Sequence, residues 1–226
     1  TISKIDFKRP DNLKEKIIAS KVSGNDNGFS FNTAMDVDFN FYNNTIELGN
    51  QIVSPIADYA FNYYRYKLDG VFYDDKGNLI NKIKVIPKRE NDRIFSGTIY
   101  IVEDQWSIYA LELIITGQQA QIPVADTISL AQTFSYSDTE QFWVLISQQI
   151  NFAYGIFGIH GEGRFSAVYS NYNFQPNFDK KSFGKEILSF ENEANKKDST
   201  YWSAIRPIPL TKEESDDYVV KGSIQI

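Results

Sequence analysis

YRYKLDGVFYDDKGNLINKIKVIPKRENDRIFSGTIYIVEDQWSIYALELIIT, residues Tyr64–Thr116, decides the fold class. Its apolar residues recur every second position, the period of a strand with one wet face. From Tyr64, one face is expected to carry Tyr64, Tyr66, Leu68 and Phe72, and the other Arg65, Lys67 and Asp69. In DDKGN (Asp74–Asn78), Gly77 stands where a hairpin loop needs a positive φ. The run Leu79–Ile86 sets Leu79, Ile83 and Val85 against Lys82 and Lys84, and Pro87, lacking an N–H, ends it. Ile94–Glu103 and Trp106–Thr116 make a further pair across the turn Glu103-Asp104-Gln105. Four strands joined by short loops predict an antiparallel meander.

The alternation resumes after Pro123, over Thr127–Ser135, Phe142–Phe157 and Ile159–Tyr172. The glycines of GIFGIHGEGRF fit a hairpin turn or bulge better than a phosphate loop, since their spacing matches neither phosphate signature and no helix follows. Glu15–Ser23 suits an opening strand, and Ala34–Leu48 is ambiguous between helix and strand. Ser54 before Pro55 reads as an N-cap and first-turn proline, which predicts a short helix over Ser54–Tyr63. Towards the end, a helix can begin at Asp198, and Thr211-x-x-Glu214 reads as a capping box closed by Gly222. Helices at both flanks of one long meander predict an α+β domain whose antiparallel sheet is strongly curved. The organisation expected is a single domain over residues 1–226. Residues 1–13 would be a linker from a preceding domain, 14–180 the sheet with short helices, and 181–226 a charged helical tail.

At 226 residues, such a chain buries roughly 70% of its unfolded surface and needs no disulfide or metal to hold a core. With 17 Phe, 14 Tyr and 3 Trp that core is aromatic. A net charge of -6 argues against a nucleic-acid partner, which requires a basic footprint. No run approaches the about 20 apolar residues of a membrane helix. TISKIDFKRP at the start reads as a cut into a longer protein.

Chemistry is sparse. Cysteine is absent and His160 is the only histidine, which removes thiol nucleophiles and leaves no zinc site, cofactor site or metal site to name. His160 and Glu162 share a strand face about 7 Å apart, the spacing of a base and its partner or of a strand-end pair with no role. Glu112, inside the apolar run ALELII, and Glu162 are the carboxylates a hydrolase would use. Asp126-Thr127-Ile128 and Asp198-Ser199-Thr200 match a short bacterial O-glycosylation acceptor pattern. The aromatic excess has two readings: the filling of a sheet core, or the lining of a groove for an acyl chain or peptide.

Several long segments resemble a family of uncharacterised Gram-negative outer-membrane proteins. They are KEKIIASKVSG (Lys14–Gly24), FNFYNNTIEL (Phe39–Leu48), SPIADYAFNYYRYKLDG (Ser54–Gly70), LINKIKVIPKR, FSGTIYIVED, FSAVYSNYNF (Phe165–Phe174), FGKEILSFENEANKKDSTYW and RPIPLTKEE. The resemblance implies a periplasmic or membrane-proximal domain of unknown function. It would lie between a carboxypeptidase-regulatory-like β-sandwich and an outer-membrane β-barrel, and the resemblance carries no catalytic motif. YKLDG, KVIPK and SGTIYI are also similar, over shorter stretches, to lipoprotein carriers of the LolA/LolB type, which implies a half-open barrel wrapped around acyl chains.

Together these readings lead to the expectation of a non-catalytic domain that binds or guides an apolar client, such as a lipid tail or an unfolded strand, or positions its neighbours. Tyr64, Tyr66, Phe72, Tyr100 and Trp106 are the candidate groove. A carboxylate-dependent hydrolase using Glu112 and Glu162, and a purely structural spacer, are the alternatives. Strand addition at an open sheet edge is a second non-catalytic mode.

Overall fold

Residue alternation, carried through seven successive strands, builds the large sheet that dominates the molecule. The computed structural model describes residues 1–20, 37–156, 159–179, 181–212 and 215–216. In chain order the strands are β1 (Ile2–Lys8), β2 (Asn12–Ala19), β3 (Thr45–Leu48), β4 (Asn50–Val53), β5 (Tyr64–Tyr73) and β6 (Leu79–Pro87). They continue with β7 (Ser96–Val102), β8 (Ile108–Thr116), β9 (Ala125–Ser137), β10 (Phe142–Ile156), β11 (Ile159–Val168) and β12 (Leu188–Phe190). The helices are α1 (Gly117–Ala120) and α2 (Ser199–Ile205). These elements fall into two compact units, Phe39–Gln175 and Thr1–Asp38 with Pro176–Ile226.

In the first unit β11-β10-β9-β8-β7-β6-β5 lie side by side, each antiparallel to the next. Pro87 ends β6, and Gly77 takes φ +84 in the β5–β6 turn. That turn is pinned by Asp74, whose carboxylate accepts from the Lys76 and Asn78 amides and from Asn78 Nδ2. Between β8 and β9, Thr116 and Gln119 form a capping box on α1. β8 displays the two-faced pattern plainly: Leu111, Leu113 and Ile115 are buried, while Glu112, Ile114 and Thr116 are exposed. One face is therefore dry and the other wet.

Residues 39–63 cover the dry face. The Phe41 ring lies 5.5 Å from that of Phe95, the Ile108 amide donates to Tyr42 Oη at 2.9 Å, and Gln132 Nε2 donates to the Phe39 carbonyl at 2.7 Å. The β3–β4 hairpin adds Ile46, Leu48 and Ile52 to the core. This corrects the expected α+β half-barrel. Among the described residues 50% are strand and 9% helical, and the sheet is neither closed nor strongly curled, so the class is mainly β. Of the two readings of the aromatic excess, the filling of a sheet core describes Phe39 and Phe41, both buried. Ser54 does not start a helix either: its hydroxyl donates to the Phe41 carbonyl at 2.7 Å, and only Ala60–Asn62 form a single 3-10 turn. The same hydroxyl accepts from the Ile56 amide at 3.3 Å, so it closes a local turn of the kind Ser favours, and no α-helix starts there.

The second unit is a three-stranded sheet, β1-β2-β12, with β12 parallel to β2. Residues 1–13, read as a linker, hold strand β1. Within 181–226, read as a helical tail, the described residues hold β12 and α2. Asp198 caps α2 as expected, accepting from the Tyr201 amide at 2.8 Å, and Trp202 is buried. Lys16 and Glu191 pair at 2.9 Å across β2 and the segment after β12. The capping box ending at Glu214 and the stop at Gly222 lie outside the described residues.

Candidate functional site

A single inserted residue rearranges the candidate groove. Leu68 pairs with Ile83, but Gly70 pairs with Lys82, so Asp69 is the extra residue of a β-bulge in β5. The alternation inverts there. Tyr64, Tyr66 and Leu68 share a face, which after the bulge passes to Val71 and Tyr73, while Phe72 joins Ile80 and Lys82 on the opposite face. Tyr100 pairs with Lys82 and belongs to that opposite face, 6.2 Å from Phe72 between ring centroids. The five aromatic residues therefore do not line one groove, which corrects the single shared face expected for Tyr64, Tyr66, Leu68 and Phe72.

Each of the five has its own environment. Tyr64 is 1% exposed, and its hydroxyl donates to the Val53 carbonyl at 2.5 Å while accepting from the Phe95 amide at 3.0 Å. Burial pushes this phenol far above its ordinary range. Tyr66 donates to the Pro55 carbonyl at 2.7 Å, and burial raises its pKa to about 12. Tyr100, half-buried, donates to Glu112 at 3.3 Å. Burial, and then the neighbouring Glu112 carboxylate, raise its phenol as well.

Trp106 differs from the rest, being 73% exposed and held at φ +56. Asp104 in the same turn sits at φ +64. Four backbone hydrogen bonds hold this turn: Trp106 N–H to the Val102 carbonyl, Val102 N–H to that of Ser107, Gln105 N–H to that of Glu103, and Glu103 N–H to that of Leu79. For a bulky side chain the left-handed region costs about 1–2 kcal/mol, a strain that accumulates at sites of use. Trp106 and Tyr66 do come together, for both line a depression of about 280 Å³ with Leu68, Ile83, Ile101 and the Asn81–Glu103 pair. In that pair Asn81 Nδ2 donates to the Glu103 carboxylate.

The depression adjoins an open edge. Among the described strands β5 pairs only with β6, so the outer rim of β5 is unpaired. Every residue of Lys67–Tyr73 is exposed, including Leu68 (59%), Val71 (55%) and Tyr73 (72%). Edges are usually blunted by charge. β11, the other edge, exposes His160, Glu162 and Arg164, and β5 exposes Arg65 and Lys67 ahead of its bulge. On β5 the bulged Asp69 reaches Lys84 at 3.2 Å and Lys82 at 3.4 Å, while the apolar residues beyond it stay uncovered.

The carboxylates do not converge. Glu162 pairs through Ala153 and Thr127 to Thr116, which places it three strands from β8 and four residues along from Glu112. At about 4.8 Å per strand and 3.4 Å per residue the separation is about 20 Å, against the ~5–10 Å of glycosidase pairs. Among the described residues no group of three or more His, Cys, Asp or Glu is placed to hold a metal ion. No described helix is long and apolar enough to cross a membrane.

Sequence reasoning named Tyr66 and Trp106 but missed Leu68, Ile83, Ile101, Asn81 and Glu103 as their companions. The available signal was the turn EDQW, which offers four residues and no glycine where a tight hairpin wants positive φ. The model of a family of unknown function (DUF5686) matches residues 1–172, so the chain belongs to that family. No curated protein and no solved structure matches it.

Proposed function

From a family with no assigned chemistry, we propose that this chain is a non-catalytic binding module that receives an extended polypeptide segment by strand addition along the free edge of β5. One observation carries the reading: seven consecutive exposed residues, Lys67–Tyr73, on an unpaired edge rich in large apolar side chains. Unpaired N–H and C=O groups on such an edge supply affinity, and alternate side chains of the guest supply specificity. The apolar client is thus a peptide strand. The resemblance to outer-membrane proteins supports a periplasmic setting, with a neighbouring β-sandwich and β-barrel in the same chain as sources or users of such strands.

The test is amide hydrogen exchange with and without a short soluble peptide of alternating Val and Thr. Protection of the outward amides of Lys67–Tyr73, lost when Val71 is replaced by Pro, is the expected result. Unchanged exchange along β5 at saturating peptide would leave a spacer as the better account.

A further inference from the structure

We propose that the depression beside Trp106 is a side-chain pocket for one lysine or arginine of the segment docked on β5, an inference that rests on the strand-addition reading. Size is the first argument. At about 280 Å³ the depression falls below the ~300–1,000 Å³ of small-molecule pockets, and suits one long side chain. Chemistry is the second. Leu68, Ile83 and Ile101 offer apolar surface to the methylene stem of a basic side chain. The exposed indole of Trp106 offers a face to its cation.

Charge is the third. Glu103 lines the depression, oriented by Asn81, with Asp104 next to it in the turn. The adjoining β5–β6 turn adds Asp74 and Asp75. Of the nearby cations, Lys67 lies on the opposite face, paired in register with Lys84, and three others are committed elsewhere. Lys76 lies 4.0 Å from Asp138 and donates to the Tyr136 carbonyl, while Lys82 and Lys84 are held by Asp69 on the opposite face. Among the described residues no cation forms an ion pair with Glu103, so the docked segment supplies it. An anionic lipid headgroup would meet these same carboxylates and be repelled.

The experiment titrates the whole chain with a soluble Val/Thr peptide carrying one central lysine, and with the same peptide carrying norleucine there. Trp106 indole N–H shifts and protection of β5 amides are the readouts. The lysine peptide is expected to bind roughly fivefold tighter, the scale of one cation–π contact plus one exposed ion pair. Glu103→Gln should shrink that preference, and so should Trp106→Gly, which tolerates the positive φ. Neither should weaken the norleucine peptide comparably. Equal binding of both peptides, with β5 amides protected, overturns the pocket and leaves strand addition standing. No protection and no indole shift with either peptide overturns both.

Discussion

The amide of Phe95 donates to the phenolic oxygen of Tyr64 at 3.0 Å, while the same hydroxyl donates to the Val53 carbonyl. One side chain thus satisfies two backbone groups in segments distant from its own. Tyr64→Phe leaves both groups without that partner and is expected to cost roughly 2–6 kcal/mol in urea denaturation, at about 1–3 kcal/mol per orphaned group. Because the folded pKa is raised, the stability tied to the neutral phenol is present below about pH 10 and is lost as pH rises through the higher folded value. Tyr64→Phe should remove that part of the alkaline loss; an identical alkaline limb in the variant would refute the assignment.

Asp69 titrates at the other end of the scale. Lys84 first, then Lys82, hold its carboxyl below the usual carboxylate range. The pairing therefore stabilises the fold above about pH 4, and this is lost as pH falls through the lowered folded value. The gap in melting temperature between the native chain and Asp69→Asn should close on acidification from pH 6 to about 3. A constant gap would mean that the bulge, not the charge, needs Asp69.

Backbone crowding makes Gly117 the least replaceable glycine near α1. A Cβ there would stand 1.7 Å from the Ala125 carbonyl oxygen, backbone that cannot rotate away. Gly117→Ala is expected to cost about 3 kcal/mol or more, at the top of the overpacking range. Gly184, with nothing within 4 Å of such a Cβ, should tolerate Ala within about 0.5 kcal/mol. Equal melting temperatures for the two variants would contradict the close approach.

Trp106 is strained and exposed, so stability alone gives little reason for it. Trp106→Gly relieves a left-handed conformation worth about 1–2 kcal/mol, partly offset by added freedom in the unfolded chain. The urea midpoint of the variant should match or exceed that of the native chain. A clear fall would show that the indole is a packing element and remove the case for it as a contact.

The meander was legible because strands of an antiparallel sheet with one wet face write their period into the sequence, as in Leu111, Leu113 and Ile115 against Glu112 and Thr116. Gly77, Pro87 and Asp198 were legible for the same local reason: each acts within a few residues of itself. The bulges at Asp69 and in β8, where the register slips between Tyr100 and Ile101, were not. A bulge adds one residue to a strand without changing its composition, so Phe72 looked like a continuation of Tyr64 and Tyr66. Ser54 was legible only in part: its hydroxyl does accept from the nearby Ile56 amide, but its bond to the Phe41 carbonyl is set by tertiary packing, and a turn forms there in place of a helix. The pairing of β12 with β2 joins chain segments some 170 residues apart, and no short-range pattern announces it.

The bulge gives β5 something like two reading frames. Upstream of Asp69 the frame is locked by the core through Tyr64; downstream it is locked only by β6. Deleting Asp69 would merge the two frames without moving a side chain across the sheet: Gly70 would follow Leu68 directly opposite Lys82, and Val71, Phe72 and Tyr73 would keep Asn81, Ile80 and Leu79 as partners. A lineage of such chains can therefore gain or lose the bulge residue, and with it the tie to Lys82 and Lys84, while both halves of the strand keep their faces.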